Sequence, residues 1–231
     1  GYRKDGRSLS EYMTWAKKEL RPILQRIVDV AVQQDILVPQ AAYGYWKAAG
    51  DLNDLVLFDV DGETEVARFA LPRQPEGDNK CIADYVRDIS KGPENRDVIG
   101  LPVVTMGQHA SEVARDWFGE DRYQDYLYLH GLGVEMAEAM AEYTHKRVRA
   151  ELGYSGEEAR EIERMLQQEY RGSRYSFGYP ACPNVEDQSQ ILSLLGADRI
   201  GIELSDESQL HPEQSTSAIV ILHPEAKYFS V

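Results

Sequence analysis

The sequence predicts an α+β fold, in which strand-like segments lie toward both ends of the chain and helical patterns lie between them. Two further observations favour this class. The chain has no internal repeat, and it does not alternate strands with helices as a doubly wound parallel sheet would. With 231 residues, of which 42 % are hydrophobic, the chain is long enough to bury a core without a disulfide or a metal.

Composition argues against several classes of function. The chain carries 25 basic and 39 acidic residues, a formal charge of −14, so its average surface repels the phosphates of nucleic acids. No apolar run reaches the roughly 18 residues that a membrane-spanning helix needs. Cys81 and Cys182 are too far apart in sequence to form a CxxC motif, and two reduced thiols are typical of a cytoplasmic protein. We therefore expect a cytoplasmic protein with no nucleic-acid or membrane partner.

The chain is predicted to begin with a helical segment. Apolar residues recur at three- and four-residue steps over residues 9–34. Pro22 lies inside this pattern and predicts a kink or a break between two helices. Pro39 ends the pattern, so residues 1–38 are expected to form an N-terminal helical segment of the domain.

A β-hairpin is predicted next. Residues 54–59 and 65–71 have the pattern of strands, and Asp61-Gly62 between them is a turn signal. The run from Leu55 to Gly62 also resembles the first motif of haloacid-dehalogenase-like phosphatases, in which an aspartate at a strand end, here Asp59, attacks phosphorus. That motif leads into a helix or a cap, whereas this chain continues into a strand, so we favour a hairpin turn.

The middle of the chain is predicted to be helical, after a third strand-like run over residues 98–105. The stretch 121–152 is long, charged and periodic. Gly131 and Gly133 within it indicate a bend, and they are a weak match to a phosphate-binding loop because no strand precedes them. The candidates for its buried side are Tyr126, Leu129, Val134, Met136, Met140, Tyr143 and Val148.

Shorter elements are predicted toward the C terminus. A helix is expected over residues 155–169, where Ser155 has the spacing of a capping box, and another over residues 185–195. Two strand-like runs, 199–204 and 217–223, follow.

One helix face within the long stretch is acidic. Glu135, Glu138, Glu142 and His145 follow each other at steps of three, four and three residues, so they lie near one side of the helix. A solvated face is the simplest interpretation. The Glu142-x-x-His145 pair also matches a half of a ferritin-like di-metal site, but the chain has no second such pair. A third interpretation gives Glu138 a ligand-facing role.

The segment from Arg171 to Pro183 has the composition of a small-molecule site. It contains arginines, glycines, prolines and several aromatic rings. Arg174 can bind a carboxylate through paired charge-assisted hydrogen bonds, and Gly178 lets the backbone approach a ligand closely. Nearby rings can cover a flat base or a sulfonium cation. An anionic, partly aromatic ligand and a packed structural loop are equally compatible with this composition.

The run Arg174-x-x-x-Gly178-Tyr179-Pro180-Ala181-Cys182-Pro183 resembles the signature of the C-terminal activation domain of cobalamin-dependent methionine synthase. Other stretches follow in the family's order: Tyr43 to Trp46, Lys80 to Tyr85, Glu138 to Arg147, and His223 to Tyr228. The resemblance covers about residues 40–231, so residues 39–231 are expected to form the body of an activation domain. It implies a C-shaped α+β domain with a curved, mainly antiparallel sheet and flanking helices.

The resemblance also implies a function. The family domain binds S-adenosylmethionine and supports the reductive remethylation of cob(II)alamin in methionine biosynthesis. Its implied partners are the cobalamin-binding domain of the same enzyme and a flavodoxin-like or reductase electron donor. We therefore expect a part of a longer methyltransferase that is inactive alone. The alternative is a stand-alone S-adenosylmethionine-binding regulatory module without a cobalamin partner.

The resemblance implies specific site residues by position. Arg174 should hold the carboxylate of S-adenosylmethionine, and Ser176 and Gly178 should present their backbone to it. The other implied contacts are Tyr179, Tyr228, Phe229 and Glu138. No side chain is implied as a general base, and no residue is implied as a metal ligand.

A basic cluster offers two interpretations. It could form a docking patch for an acidic electron donor, or it could form salt bridges with nearby glutamates on the helix surface, which is the simpler reading. Its members are Lys146, Arg147, Arg149, Arg160 and Arg164.

Overall fold

The computed structural model describes residues 3–231, and two helices begin this part of the chain. Helix α1 spans Leu9–Glu19 and helix α2 spans Arg21–Gln33. Pro22 lies in the first turn of α2, where its missing N–H leaves no intrahelical hydrogen bond unmade. The predicted break between two helices is confirmed.

A six-stranded antiparallel sheet is the centre of the fold. In their side-by-side order its strands are β3 (Glu65–Ala70), β2 (Asp54–Phe58), β1 (Gln40–Asp51), β4 (Asp97–Thr105), β8 (Ser215–Ile221) and β5 (Ser173–Ser176). A separate antiparallel ribbon consists of β6 (Glu203–Leu204) and β7 (Leu210–His211). Since every pairing in the sheet is antiparallel and helices flank it, the predicted α+β class is confirmed.

Strand β1 is the longest strand, and the local pattern does not predict it. It lies between β2 and β4, so both of its edges are paired. Several of its residues are alanine or glycine, which carry little β-propensity. A Cβ atom at Gly50 would lie 2.6 Å from the carbonyl oxygen of Ala83, so the small residue permits close packing. Tertiary packing, rather than local sequence, therefore makes this segment a strand.

The hairpin between β2 and β3 has the predicted turn. Asp61 Oδ1 accepts hydrogen bonds from the backbone N–H groups of Glu63 and Thr64, both at 2.9 Å. The side-chain hydrogen bond from Thr64, together with these backbone bonds, lowers the pKa of Asp61 to about 2. Gly62 has a φ of +77°, a conformation that suits glycine. Turn chemistry accounts for this motif, and the hairpin interpretation is preferred to the phosphatase one.

Two helices follow β4. Helix α3 spans Gln108–Gly119, and helix α4 runs without interruption over Tyr123–Glu151. Helix α4 lies close against the sheet, because a Cβ atom at Gly100 of β4 would lie 3.0 Å from Val148 Cγ1. Gly133 has a similar role, since a Cβ atom there would lie 2.7 Å from Gln214 Cγ.

The buried side of α4 is only partly the predicted one, because Leu129 and Val148 are buried but other predicted residues are not. Val134, Met136 and Tyr143 are 40, 41 and 59 % exposed. Small residues take their place, because a helix that packs closely on a sheet leaves no room for long side chains. The buried residues of α4 are Leu129, Gly133, Ala137, Ala141, Thr144, His145, Val148 and Arg149.

Two of the C-terminal predictions are wrong. The segment 155–169 contains only a 3-10 turn and the short helix α5 (Ile162–Leu166). The expected capping box does not form, because Glu158 instead accepts a hydrogen bond from Arg149. The segment 199–204 is mostly not a strand, because Gly201 takes a left-handed conformation and only β6 remains.

Other C-terminal predictions are confirmed. Helix α6 spans Gln188–Leu195 after a 3-10 turn, and β8 covers most of the last predicted run. The main apolar core lies on the sheet face opposite α4 and includes Phe69, Tyr175 and Ile219. Among residues 3–231, no helix is long and apolar enough to cross a membrane.

Candidate functional site

Arg174 and Tyr175 are neighbours on β5, an edge strand, and they point to opposite faces of the sheet. Tyr175 is only 1 % exposed and belongs to the apolar core. Arg174 faces α4, where its Nη2 atom donates a hydrogen bond to Glu138 Oε2 at 2.8 Å. Two residues that the family resemblance implicates, 36 positions apart in sequence, are therefore in direct contact.

A tight turn follows β5. The N–H of Gly178 donates to the carbonyl of Cys182, and the N–H of Cys182 donates to the carbonyl of Tyr179, both at 2.9 Å. Gly178 has a φ of +85°, which a residue with a Cβ atom rarely adopts. The turn leaves Tyr179 55 % exposed at the end of the edge strand.

The C-terminal tail reaches this turn. The ring of Tyr228 lies 6.5 Å from the ring of Tyr179, and the two planes are nearly perpendicular. Tyr228 is 41 % exposed, so both rings present surface to solvent. The structure thus brings two further candidate residues together, in the edge-to-face geometry that aromatic pairs favour.

Phe229 and Ser176 are placed differently. The side chain of Phe229 is buried in the core, and its ring lies 6.4 Å from the ring of Tyr85 and 6.2 Å from that of Tyr175. Ser176 is the last residue of β5 and pairs with Ala218 of β8. Phe229 can therefore offer a ligand its backbone but not its ring.

A buried polar cluster lies beside Arg174, between α4 and the segment that precedes β5. Tyr170 donates a hydrogen bond to Glu142 Oε2 at 3.2 Å. His145 Nδ1 lies 3.8 Å from Glu142 Oε2, and Arg149 Nη2 lies 3.5 Å from Glu142 Oε1. His145 and Arg149 are both completely buried.

The surroundings of Glu142 and His145 lower the pKa of both side chains. Burial alone raises the pKa of Glu142, but contact with His145 and the charges of Arg149 and Arg174 outweigh it and hold the pKa below its usual value. Burial is the largest cause that lowers the pKa of His145, and the two arginines lower it further. At neutral pH the cluster therefore holds an ionised Glu142 beside the Arg149 guanidinium and a neutral His145.

Sequence reasoning missed part of this cluster. The solvated-face interpretation is wrong for His145, which is fully buried. Arg149 continues the same helix face four residues later, and this spacing was the available signal. The Arg149 guanidinium lies over the ring of Tyr170, and the distance from Arg149 Cζ to the ring centroid is 3.8 Å. The Lys227 ammonium lies 5.5 Å from that centroid, which ties the C-terminal tail to the cluster.

The remaining interpretations of these charged residues are a metal site and a basic docking patch. Within residues 3–231, no group of three or more histidine, cysteine, aspartate or glutamate side chains is arranged to hold a metal ion. The basic cluster forms salt bridges, as the simpler reading predicts: Arg147 contacts Glu151 at 2.9 Å and Arg149 contacts Glu158 at 2.8 Å. Its arginines are thus largely paired with neighbouring glutamates.

A cavity of about 790 Å³ lies beside the start of β4 and the end of β8, and none of the predicted site residues lines it. Arg87, Arg96 and Arg171 line it. Each of these arginines is already bonded to a backbone carbonyl, Arg87 to Asn95, Arg96 to Ile89 and Arg171 to Leu222. The bonded arginines indicate a structural cleft, whereas the partly buried guanidinium of Arg174 has an unpartnered nitrogen and is the better candidate to bind a ligand.

Comparisons with known proteins identify the family of the chain. The family described as "Vitamin B12 dependent methionine synthase, activation domain" matches residues 10–231. Methionine synthase of Mycobacterium tuberculosis (strain ATCC 25618 / H37Rv) is 44 % identical over 231 residues, which cover 95 % of this chain. Methionine synthase of Mycobacterium leprae (strain TN) is 40 % identical over 232 residues, with the same coverage. The chain spans only 19 % of the length of each of these relatives.

A solved structure has the same fold. The crystal structure of the MetH reactivation domain bound to AdoHcy superposes with a TM-score of 0.85 at 27 % identity, and the match covers 93 % of this chain and 67 % of that one. The family match extends over nearly the whole chain, and the fold and the signature segment agree with it. The chain therefore belongs to the family of vitamin B12 dependent methionine synthase activation domains.

Proposed function

We propose that this chain binds S-adenosylmethionine and supports the reductive remethylation of cob(II)alamin within a cytoplasmic methionine synthase. The observation that carries the proposal is the hydrogen bond between Arg174 on the edge strand β5 and Glu138 on helix α4, together with the exposed rings of Tyr179 and Tyr228 near the turn that follows β5. The similar MetH domain was crystallised with AdoHcy, which is what remains of S-adenosylmethionine once its methyl group has left.

The amino-acid part of the ligand is a zwitterion, and the Arg174–Glu138 pair has complementary charges. Arg174 would hold the ligand carboxylate, because its guanidinium can make two parallel charge-assisted hydrogen bonds. Glu138, which is about half exposed, would release Arg174 and take the ligand ammonium. Arg174 and Glu138 therefore fit the amino-acid part of S-adenosylmethionine.

The remaining contacts would come from backbone and rings. Ser176 and Gly178 would present peptide groups to the ligand, and the positive φ of Gly178 leaves no Cβ atom in the way. The faces of Tyr179 and Tyr228 would cover the adenine or the sulfonium. Phe229 would contribute its backbone, since its ring is in the core.

The reaction needs partners outside this chain. The cobalamin, bound by another domain of the parent enzyme, supplies the cobalt nucleophile, and a flavodoxin-like or reductase donor supplies one electron. The role of this chain is to bind and orient the methyl donor, and orientation alone accelerates such a transfer. We expect no turnover from the isolated chain. The stand-alone regulatory alternative is not favoured, because the similar curated proteins are methionine synthases about five times longer.

The test is calorimetric titration of S-adenosylmethionine into the wild-type chain and into the Arg174→Ala variant. We expect saturable binding that weakens by on the order of 2–4 kcal/mol in Arg174→Ala, because a charge-assisted pair is lost. Arg87→Ala is the matched control, since Arg87 lines the separate cavity and its side chain is 60 % exposed.

The two variants distinguish the outcomes. Loss of affinity in Arg174→Ala alone supports the proposal. Loss in Arg87→Ala alone would move the ligand to the cavity and contradict the assigned residues. No binding by the wild-type chain would contradict the proposed function itself.

A further inference from the structure

Six buried side-chain atoms in residues 3–231 have no hydrogen-bond partner there, and all six belong to four neighbouring residues. They are Oε1 of Glu142, both ring nitrogens of His145, Nη1 and Nη2 of Arg149, and Nη1 of Arg174. Native proteins leave few buried polar groups unpaired, so four such residues in one place need an explanation. One of the four is Arg174, the proposed ligand-binding arginine, which indicates a connection with binding.

The two terminal nitrogens of the Arg174 guanidinium have different surroundings. Its Nη2 atom bonds to Glu138, which is exposed, whereas its Nη1 atom is buried and unpartnered. Glu142 lies one helical turn beyond Glu138 on the same face of α4, and the charge of Arg174 is among those that lower the pKa of Glu142. Glu142 is therefore the next carboxylate along the helix face that Arg174 contacts.

Glu142 is well held from the other directions. The hydroxyl of Tyr170 donates to one of its oxygens at 3.2 Å, and Arg149 lies 3.5 Å from the other. Arg149 is itself fixed, because its Nε atom donates to Glu158 at 2.8 Å. Glu142 thus lies in the field of two arginines, only one of which, Arg174, is near solvent.

We propose that Glu142, held by Tyr170, His145 and Arg149, is a positioning residue that keeps the Arg174 guanidinium aimed at the ligand carboxylate. This inference depends on the proposed function and deepens it. When the ligand takes the outer edge of Arg174, the bond to Glu138 is given up, and Glu142 remains as the inner counter-charge. Without that charge, Arg174 would be repelled by Arg149 and would turn toward solvent.

The role predicts a selective effect on the carboxylate. Glu142→Gln keeps the shape of the side chain and removes its charge. We expect S-adenosylmethionine to bind about tenfold more weakly to this variant. The reason is that Arg174, the charged hydrogen-bond partner of the ligand carboxylate, is displaced from its position. Decarboxylated S-adenosylmethionine keeps the amine, the sulfonium and the adenosine, and its affinity should change less than about twofold.

Calorimetric titration of both compounds into the wild-type chain, Glu142→Gln and Glu135→Gln makes the test. Glu135 is an exposed glutamate on the same helix, so it controls for a general loss of negative charge. If Glu142→Gln does not fold by circular dichroism, Tyr170→Phe removes only the hydroxyl that holds Glu142 and should show the same selectivity with a smaller loss.

Each outcome has a separate meaning. A loss confined to S-adenosylmethionine supports the positioning role. Equal losses for both compounds, or no loss, would contradict it and would leave Glu142 a structural residue, while the proposed function would still stand on wild-type binding. If the wild-type chain binds neither compound, the proposed function fails and this inference fails with it.

Discussion

The two faces of strand β5 differ in how completely their polar groups are hydrogen-bonded, although the residues that show the difference are adjacent in sequence. On one face, Tyr175 is buried among Tyr85 and Phe229, and its hydroxyl donates to the carbonyl of Lys227 at 3.1 Å. On the other face, Arg174 has an unpartnered nitrogen beside three more residues with unpaired polar atoms. The apolar face is complete within the chain, whereas the polar face has capacity left for a partner.

The difference shows how one strand can serve both stability and binding. Burial of an aromatic ring with a satisfied hydroxyl stabilises the fold at little electrostatic cost. Buried charges without hydrogen bonds cost free energy, and such sites are often functional. Because side chains alternate along a strand, the two roles are separated by a single peptide bond.

The largest expected effect is the loss of stability when the buried ring on the apolar face is removed. Tyr175→Ala should lower the free energy of unfolding by about 3–5 kcal/mol, since it removes a fully buried ring. Arg174→Ala should change it by less than about 1 kcal/mol, because its partner Glu138 is about half exposed. Urea denaturation followed by circular dichroism measures both values. Equal destabilisation by the two variants would show that the two faces do not differ in this way.

A smaller effect is expected at the turn after β5. Gly178→Ala should destabilise the chain by about 1–2 kcal/mol, because its φ of +85° is unfavourable for a residue with a Cβ atom. Gly131→Ala is the matched control and should stabilise by about 0.5–1 kcal/mol, since Gly131 lies within α4 and a Cβ atom there meets nothing within 4 Å. Differential scanning calorimetry would show that the two substitutions change the stability in opposite directions. If Gly178→Ala stabilised the chain, a Cβ atom at this position would not be unfavourable, and the prediction would be wrong.

The smallest expected effect is a pH dependence that comes from the polar face. His145 has a lowered pKa because it is buried, so the unfolded chain binds a proton near pH 6.5 that the folded chain resists. Stability should therefore fall as the pH drops below 6.5, until the pH reaches the folded pKa. Glu142 adds a fall of the same sign at lower pH, below its usual value of 4.5, because its folded pKa is also lowered.

His145→Gln isolates this contribution. Its unfolding free energy, measured by urea titration at a series of pH values, should depend less on pH just below 6.5 than that of the wild type. His109→Gln is the control, since the His109 side chain is 49 % exposed on α3. An unchanged slope in His145→Gln would show that the buried histidine does not resist protonation.

Much of the fold and part of the site could be predicted from local patterns. The α+β class, the break at Pro22 and the hairpin at Asp61 depend on interactions within a few residues, so their signals are in the sequence. The segment from Arg174 to Pro183 is a longer local signal, and it identified the family that the comparisons show. Strand β1 could not be predicted in this way, because its small residues become a strand only between two neighbours.

The sequence by itself determined the family, the fold class and the residues of the signature, since each is written in a short contiguous pattern. Only the tertiary structure decided which polar residues of α4 are buried, that Arg174 meets Glu138, and that the Phe229 ring enters the core while Tyr228 stays exposed. The physical reason is that burial and charge pairing depend on what another part of the chain places nearby. A helix face of glutamates and a histidine has the same local pattern whether water or an arginine covers it.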